Sequence, residues 1–488
     1  MVFSSLFFIF AFLPVCMLVY WAARNIKAKN TVLLIFSLIF YTWGEPVYVG
    51  LLVLMTFSDW LIALAIEKSE EKVTRRKILM VLSCIINLGL IGVFKYTSFF
   101  CENLQNIFGL PEAIPQIVLP IGISFYTFQL LSYVIDVYRK EVKAQKKNFF
   151  WLLLYSSLFY QCIAGPIVRY ADVEKEISNR KTNLTEITEG ISRFTVGLAK
   201  KALIANTCGS LSDTLLVSDA LISSSSDLAL AELSTRSVAG LWLGVLFYML
   251  QIYLDFSAYS DMAIGMGLMV GFHFKENFNY PYTAKSVTDF WRRWHISLGS
   301  FFRDYVYIPL GGNRKGTLKT YRNIFVVWLL TGLWHGASWN FVLWGLFFCI
   351  FLVIEKLGLL KILQKIPAIF SHAYLLIVVF FGWILFRFSD FRFIPVVLKG
   401  LFGLNGNSLF DFETKTLVIS NIFFIILAVL SVFPIVKKLS EKLKPKKPNT
   451  PYSYAHGIIS AIIPIALLVL STLSLVGDIY NPFLYFQF

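Results

Sequence analysis

VYVGLLVLMTFSDWLIALAIEKSEEKVTRRKILMVLSCIINLGLIGVFKYTSFF, residues 47–100, decides the fold class. Two apolar runs, 47–66 and 78–100, stand on either side of a short charged loop, 67–77. Each run has the roughly 20 residues that a helix needs to cross the hydrocarbon of a bilayer. A helix satisfies its backbone hydrogen bonds within itself, so it can cross one segment at a time. The Lys and Arg of the loop mark it as cytoplasmic, because basic residues gather in loops that stay inside.

The same pattern continues in both directions. Of the 488 residues, 57% are apolar, 17% aromatic and only 15% charged. Soluble domains carry about 25% charged residues, and a chain this poor in charge, with 47 Phe, cannot cover a water-facing surface. Disordered, collagen-like and disulfide-rich secreted classes are excluded on the same composition. Residues 1–27 carry no charge before Arg24 and no small-residue cleavage site, so they read as a retained helix with Met1 outside. Further runs lie around 31–46, 117–138, 149–168, 237–256, 373–388, 416–436 and 455–476, with weaker candidates at 190–206, 258–272, 322–334 and 338–355. The expected architecture is an all-α polytopic membrane protein of about 11 transmembrane helices plus re-entrant and interfacial helices. Three divisions follow: N-terminal transmembrane helices (1–148), a central core (149–356) and C-terminal transmembrane helices (357–488).

The charge balance, 44 Lys+Arg against 29 Asp+Glu, belongs to membrane loops rather than to a nucleic-acid surface. Loops 67–77, 139–147 and 437–447 are expected inside; 101–116, 207–235 and 403–414, without Lys or Arg, outside, as is Phe488. Two apolar runs lie between the inside loop at 139–147 and the outside loop at 207–235, so one of them cannot cross fully. The run 149–168 is the candidate, interrupted by Gly165-Pro166. With 258–272, short and Gly-rich, and 322–355, short for two crossings, it points to a cavity reached from the cytoplasm. The six cysteines show no CxxC spacing and read as small hydrophobes; no metal-ligand set is present in the pattern.

Between 285 and 322 stand Lys285, Arg292, Arg293, Arg303, Arg314, Lys315, Lys319 and Arg322 with only Asp289 and Asp304 against them. At roughly 2.5–3.5 kcal/mol each, these charges cannot face lipid. They alternate with Trp291, Trp294, Phe301, Phe302, Tyr305 and Tyr307. One reading is an interfacial anchor; the other is a mouth in which Arg292, Arg293 and Arg303 hold an anionic donor. Of five histidines, His273, His372 and His456 sit at helix ends or in a loop. His295, in the charged segment, and His335, in TGLWHGASW, are the candidates for chemistry, against the plainer reading of packing histidines. On these residues alone an enzyme and a transporter or channel stand level.

The stretches YSDMAIGMGLMVGF (259–272), ENFNYPY (276–282), DFWRRWHISLGSFFRDYVYIPLGGNRKG (289–316) and TGLWHGASWNFVLWG (331–345) resemble the membrane-bound O-acyltransferase family. LPIGISFYTFQ (119–129) and CIAGPIVRY (162–170) match earlier segments, and the branch is that of the bacterial alginate O-acetyltransferases. The resemblance implies helices around a central tunnel and acyl transfer from a thioester to a hydroxyl, with His335 and His295 as catalytic residues. It implies a donor such as acetyl-CoA or an acyl carrier thioester, and no bound cofactor or metal. The acceptor would be hydroxyls of an exported cell-surface polysaccharide or its partner protein, an extracytoplasmic acyltransferase or esterase-like protein, with the enzyme in a bacterial cytoplasmic (inner) membrane. D-alanyl transfer to teichoic acid is the related alternative. His335 is expected as the base for the acceptor hydroxyl and His295 as the group that orients or polarises the donor, with exchange of these roles left open.

Overall fold

The computed structural model describes residues 1–109, 117–146, 148–163, 165–445 and 450–477, whose regular secondary structure is all helical, with no strand among them. The expectation for Phe488, and parts of those for the loops 101–116, 139–147 and 437–447, fall outside these residues. Among the described residues, five helices are long and apolar enough to cross a membrane: Val49–Lys68, Val73–Phe108, Val238–Val270, Ala368–Arg387 and Pro451–Gly477. The pair Phe412–Ser420 and Ile422–Ser431 would make a sixth, bent by 69° at its break. The Ile26–Gly44 helix carries Lys27, Lys29 and Asn30 among its first five residues, which lowers its apolar character.

The chain divides into two compact units. The first comprises residues 1–194, 259–277 and 300–306. Its helices Val49–Lys68, Val73–Phe108 and Ile123–Arg139 bury Tyr41, Leu52, Met55, Ile91, Tyr126 and Leu130 together. Inside it Asp59 is buried, accepting from Ser83 Oγ at 2.5 Å and Asn87 Nδ2 at 2.8 Å. A buried carboxyl is tolerated only with such donors. The helix Phe149–Ser157 stops at Leu158 and resumes for one turn at Phe159–Cys162, and residues 165–169 are non-helical. The expected interruption is there, but it begins seven residues ahead of Gly165.

The Gly-rich stretch 258–272 is not a separate short segment. It completes the 33-residue helix Val238–Val270. Its glycines serve close packing: a Cβ on Gly265 would lie 2.7 Å from the carbonyl oxygen of Gly190, and one on Gly190 2.6 Å from that of Gly265. No proline interrupts the run, so nothing ends the helix before Gly271, which has φ +84°.

The second unit comprises residues 195–258, 278–299 and 307–488. Its core is strongly aromatic, with Phe290, Trp294, Trp328, Phe341, Trp344, Phe348, Trp383 and Phe386 all buried. The Thr317–His335 and Trp339–Ile354 helices form a hairpin joined by three residues. They cross at Gly332 and Gly345, where a Cβ on either glycine would sit 2.4 Å from a carbonyl oxygen of the opposite helix, Phe341 and Trp328 respectively. Only a residue without a side chain allows that approach, and the crossing fixes where His335 ends its helix.

Candidate active site

Both candidate histidines belong to the second unit. His335 is the last residue of the Thr317–His335 helix and His295 lies between the short helices Val287–Arg293 and Ile296–Phe302. They are buried, at 2% exposure for His295 and 7% for His335. The structure brings them to the same indole: the Trp334 ring centroid is 5.6 Å from His295 and 5.0 Å from His335. Around His335 stand Trp344 at 4.9 Å and Phe386 at 5.2 Å, both edge-on. Asn340 ties this group down, its amide donating to the carbonyls of Leu385 and Phe386 at 3.4 and 3.3 Å.

His295 is held in a costly backbone conformation. Its φ is +45°, in the left-handed region, where among the described residues only Lys140 and Tyr280 join it outside glycine. For a residue with a Cβ this costs on the order of 1–3 kcal/mol and persists only where neighbours over-determine it. Here the neighbours are visible. Its carbonyl accepts from Gly299 N at 3.0 Å, the preceding Trp294 N donates to Phe290 O at 2.9 Å, and Arg293 O accepts from Asn279 N at 2.9 Å. The imidazole stands edge-on to Phe256 at 4.8 Å, and its Nδ1 is 3.3 Å from Ser297 Oγ. Burial among these rings pushes the His295 pKa down from 6.5 to about 3, so the ring is neutral at physiological pH. A neutral imidazole can accept a proton or donate a hydrogen bond according to its tautomer.

Aromatic rings pack one face of the short helix that delivers His295. Trp291 lies 4.8 Å from Trp328, 4.9 Å from Phe348 and 5.4 Å from Trp344, and Trp294 lies 5.0 Å from Trp383. Of the aromatics interleaved with the charges, Trp294 is therefore part of the core and Trp291 packs half-buried against it.

The three expected donor-binding arginines part company. Arg292 is exposed at the end of the Val287–Arg293 helix. Arg293 is a brace: its guanidinium donates to Asp289 at 3.0 Å and to Thr283 Oγ1 at 3.3 Å. Arg303 lies in the first unit, where its guanidinium donates to both oxygens of Asp304 at 2.6 and 3.0 Å. Arg169 Nη1 meets the same carboxylate at 2.8 Å, and Arg139 donates to the Asp304 carbonyl at 3.0 Å. His273 is exposed and pairs with Glu176 at 2.8 Å, in keeping with a surface role.

Sequence reasoning missed three neighbours of this site, Trp334, Phe256 and Asn340, and one residue bonded to the start of the helix that leads to His295, Glu355. Trp334 and Asn340 lie inside the TGLWHGASWNFVLWG stretch, and Glu355 is the first acid after a long apolar run, a signal that was legible. Phe256 carries no such mark. Among the described residues no three His, Cys, Asp or Glu side chains gather as a metal site.

Residues 138–397 match the profile of the MBOAT, membrane-bound O-acyltransferase family. The chain is 36% identical to a probable alginate O-acetylase of Pseudomonas putida, with all of both chains covered. It is 35% identical to a peptidoglycan O-acetyltransferase of Helicobacter pylori over 84% of this chain and 81% of that one. Similarity to a teichoic acid D-alanyltransferase of Bacillus subtilis is 27% over 56% of this chain and 68% of the relative. The two buried histidines at one indole thus stand within the matched region, and the chain belongs to the membrane-bound O-acyltransferase family, as a multi-pass membrane O-acyltransferase.

Proposed function

We propose that this protein moves an acetyl group from a cytoplasmic thioester to hydroxyls of an exported cell-surface polysaccharide, in the cytoplasmic membrane of a bacterium. The observation that carries the mechanism is the sharing of Trp334 by His295 and His335, with His295 in a left-handed backbone. Strained, buried, ionisable residues concentrate where chemistry is done. The acetyl reading is favoured over D-alanyl transfer because the acetylating relatives align along far more of the chain.

In this reading His335 takes the proton of the acceptor hydroxyl as its oxygen attacks the thioester carbonyl. The new C–O bond forms, the carbonyl becomes an oxyanion, and neutral His295 serves as the hydrogen-bonding group that orients or polarises the donor. Collapse breaks the C–S bond, and the leaving thiolate takes the proton back from His335. The donor is acetyl-CoA or an acyl carrier thioester, whose phosphates suit guanidinium groups; Arg292 is the exposed one on the helix leading to His295. A separate extracytoplasmic protein receives or completes the transfer.

Acyl analysis of the cell's surface glycans with and without the protein tests this. Ester-linked acetyl should disappear from one glycan when the protein is removed and return with the wild-type copy. Unchanged acetylation with loss of ester-linked D-alanine would select the alternative.

A further inference from the structure

Glu355 is a carboxylate at 1% exposure, placed directly after the Trp339–Ile354 helix. Its oxygens accept from three donors of another segment: Val287 N at 2.6 Å, Thr288 N at 2.8 Å and Thr288 Oγ1 at 2.6 Å. These are the first residues of the Val287–Arg293 helix, which ends one residue short of Trp294-His295. Ser286 Oγ covers a third amide, that of Asp289, at 3.0 Å. The Glu355 carboxylate thus completes the N-terminus of the helix that carries His295.

We infer that Glu355 is a positioning residue for His295, an inference that rests on His295 belonging to the catalytic centre. A seven-residue helix is far below the length that is stable alone. Its free amides and the positive end of its dipole are natural partners of an anion. Ser286, in the helix's own lead-in, already caps one amide at less desolvation cost. A buried glutamate from a residue some 67 positions away does something a local cap does not: it ties this helix to a particular other one. That other helix carries Trp344, whose ring packs 4.9 Å from His335. One rigid element therefore presents a wall of the His335 site and, at its far end, the anchor for the helix of His295.

The lever is short but effective. From Val287 to His295 the chain advances on the order of 12 Å at helical rise. A tilt of about 5° at the anchored end moves the imidazole by roughly 1 Å, a displacement that can cost about a hundredfold in rate. Loss of the carboxylate also removes part of what holds His295 at φ +45°.

The test uses the full-length protein with Glu355→Ala and Glu355→Gln, the second retaining one acceptor oxygen in case the first fails to fold. Diethyl pyrocarbonate is the probe, with modification of His295 and His335 followed separately by mass spectrometry. Acetylation of the surface glycan is measured in cells with matched amounts of folded protein. Glu355→Ala is expected to raise His295 modification by about tenfold while leaving His335 unchanged, and to lower transfer at least about tenfold; Glu355→Gln should fall between. Modification of His295 at the wild-type rate in both variants, or a parallel rise at both histidines, overturns the inference, the latter because it marks general loosening. Normal transfer from His295→Ala would instead remove the catalytic reading of that residue, a result read independently of the labelling.

Discussion

The His295 imidazole lies 5.6 Å from the Trp334 indole, and the next residue along that helix, His335, packs on the same indole at 5.0 Å. Forty positions of chain separate the two histidines, most of them in one charged segment and one apolar helix. Replacing them separately should give catalytic rather than structural phenotypes. His335→Ala and His295→Ala are expected to lower transfer by about 10²–10⁴ each, the usual range for a lost acid–base group. A packing histidine would cost about 1–3 kcal/mol of stability instead. Thermal unfolding in detergent, measured beside acetyl transfer, separates the two, and near-normal transfer from His335→Ala would sink the mechanism.

The left-handed backbone at His295 predicts an unusual order of stabilities. Glycine adopts φ +45° without the Cβ penalty, whereas alanine retains it. His295→Gly should therefore unfold at or above the temperature of His295→Ala, by an amount corresponding to about 1 kcal/mol, with both variants inactive. At an ordinary helical site the order is reversed, because glycine gains more freedom on unfolding. A lower melting temperature for the glycine variant would show that the backbone there carries no strain.

Burial lowers the His295 pKa from 6.5 to about 3. The residue lies outside the spanning helices, and its neutral form is the native one. The sign follows from proton counting. Below pH 6.5 the unfolded chain binds a proton at this position that the folded protein refuses, so acid favours unfolding. The cost is absent above about pH 7 and grows as pH falls toward 3, with a limiting slope of about 1.4 kcal/mol per pH unit. Wild-type protein should thus lose stability faster than His295→Asn between pH 6.5 and 4.5, read from denaturation midpoints. Parallel curves for the two proteins would mean that His295 titrates normally in the fold.

The arginines that the sequence grouped together should behave differently. Arg293→Gln removes a guanidinium bonded to Asp289 and Thr283, so its main effect should be on stability, on the order of 1–2 kcal/mol. Arg292→Gln removes an exposed group and should leave the melting temperature within a degree or two while raising the donor concentration needed for half-maximal transfer. Titration of the donor against both variants, at equal folded protein, checks the split. The opposite assignment of effects would place the donor contact at Arg293.

Much of this site was legible because its chemistry is written in rare residues. Five histidines in 488 positions drew notice to His295 and His335, and the Trp-rich stretches around them carried the family. The helix positions were legible for a similar reason, since apolar runs between basic loops leave few alternatives to spanning helices. What was not legible is what depends on contact. Nothing in WRRWH distinguishes an exposed Arg292 from an Arg293 locked to Asp289, because adjacent residues on a helix face different ways by about 100° and the partner decides. The Gly-rich stretch 258–272 invited a break, yet a glycine in a helix is equally the mark of close approach, and only Gly190 across from Gly265 settles which. Phe256 sits in a helix of apolar residues and becomes part of the site only because His295 folds against it.

The crossing at Gly332 and Gly345 supplies the last prediction. A methyl on Gly332 would lie 2.4 Å from Phe341 O and one on Gly345 2.4 Å from Trp328 O. Both obstacles are backbone atoms in helices, so they cannot swing aside as a flexible side chain would. The hairpin must open instead, which should cost about 1–3 kcal/mol, as overpacking does elsewhere. Opening also shifts His335, three residues beyond Gly332, relative to Trp344, one residue before Gly345. Gly332→Ala and Gly345→Ala should therefore lose transfer by more than their loss of folded protein explains. Gly50→Ala is the control: it lies in the Val49–Lys68 helix with nothing within 4 Å of the new methyl, and there alanine should be neutral or slightly stabilising. Full transfer from the Gly332 and Gly345 variants, at wild-type melting temperatures, would show that the helices do not approach so closely in the membrane.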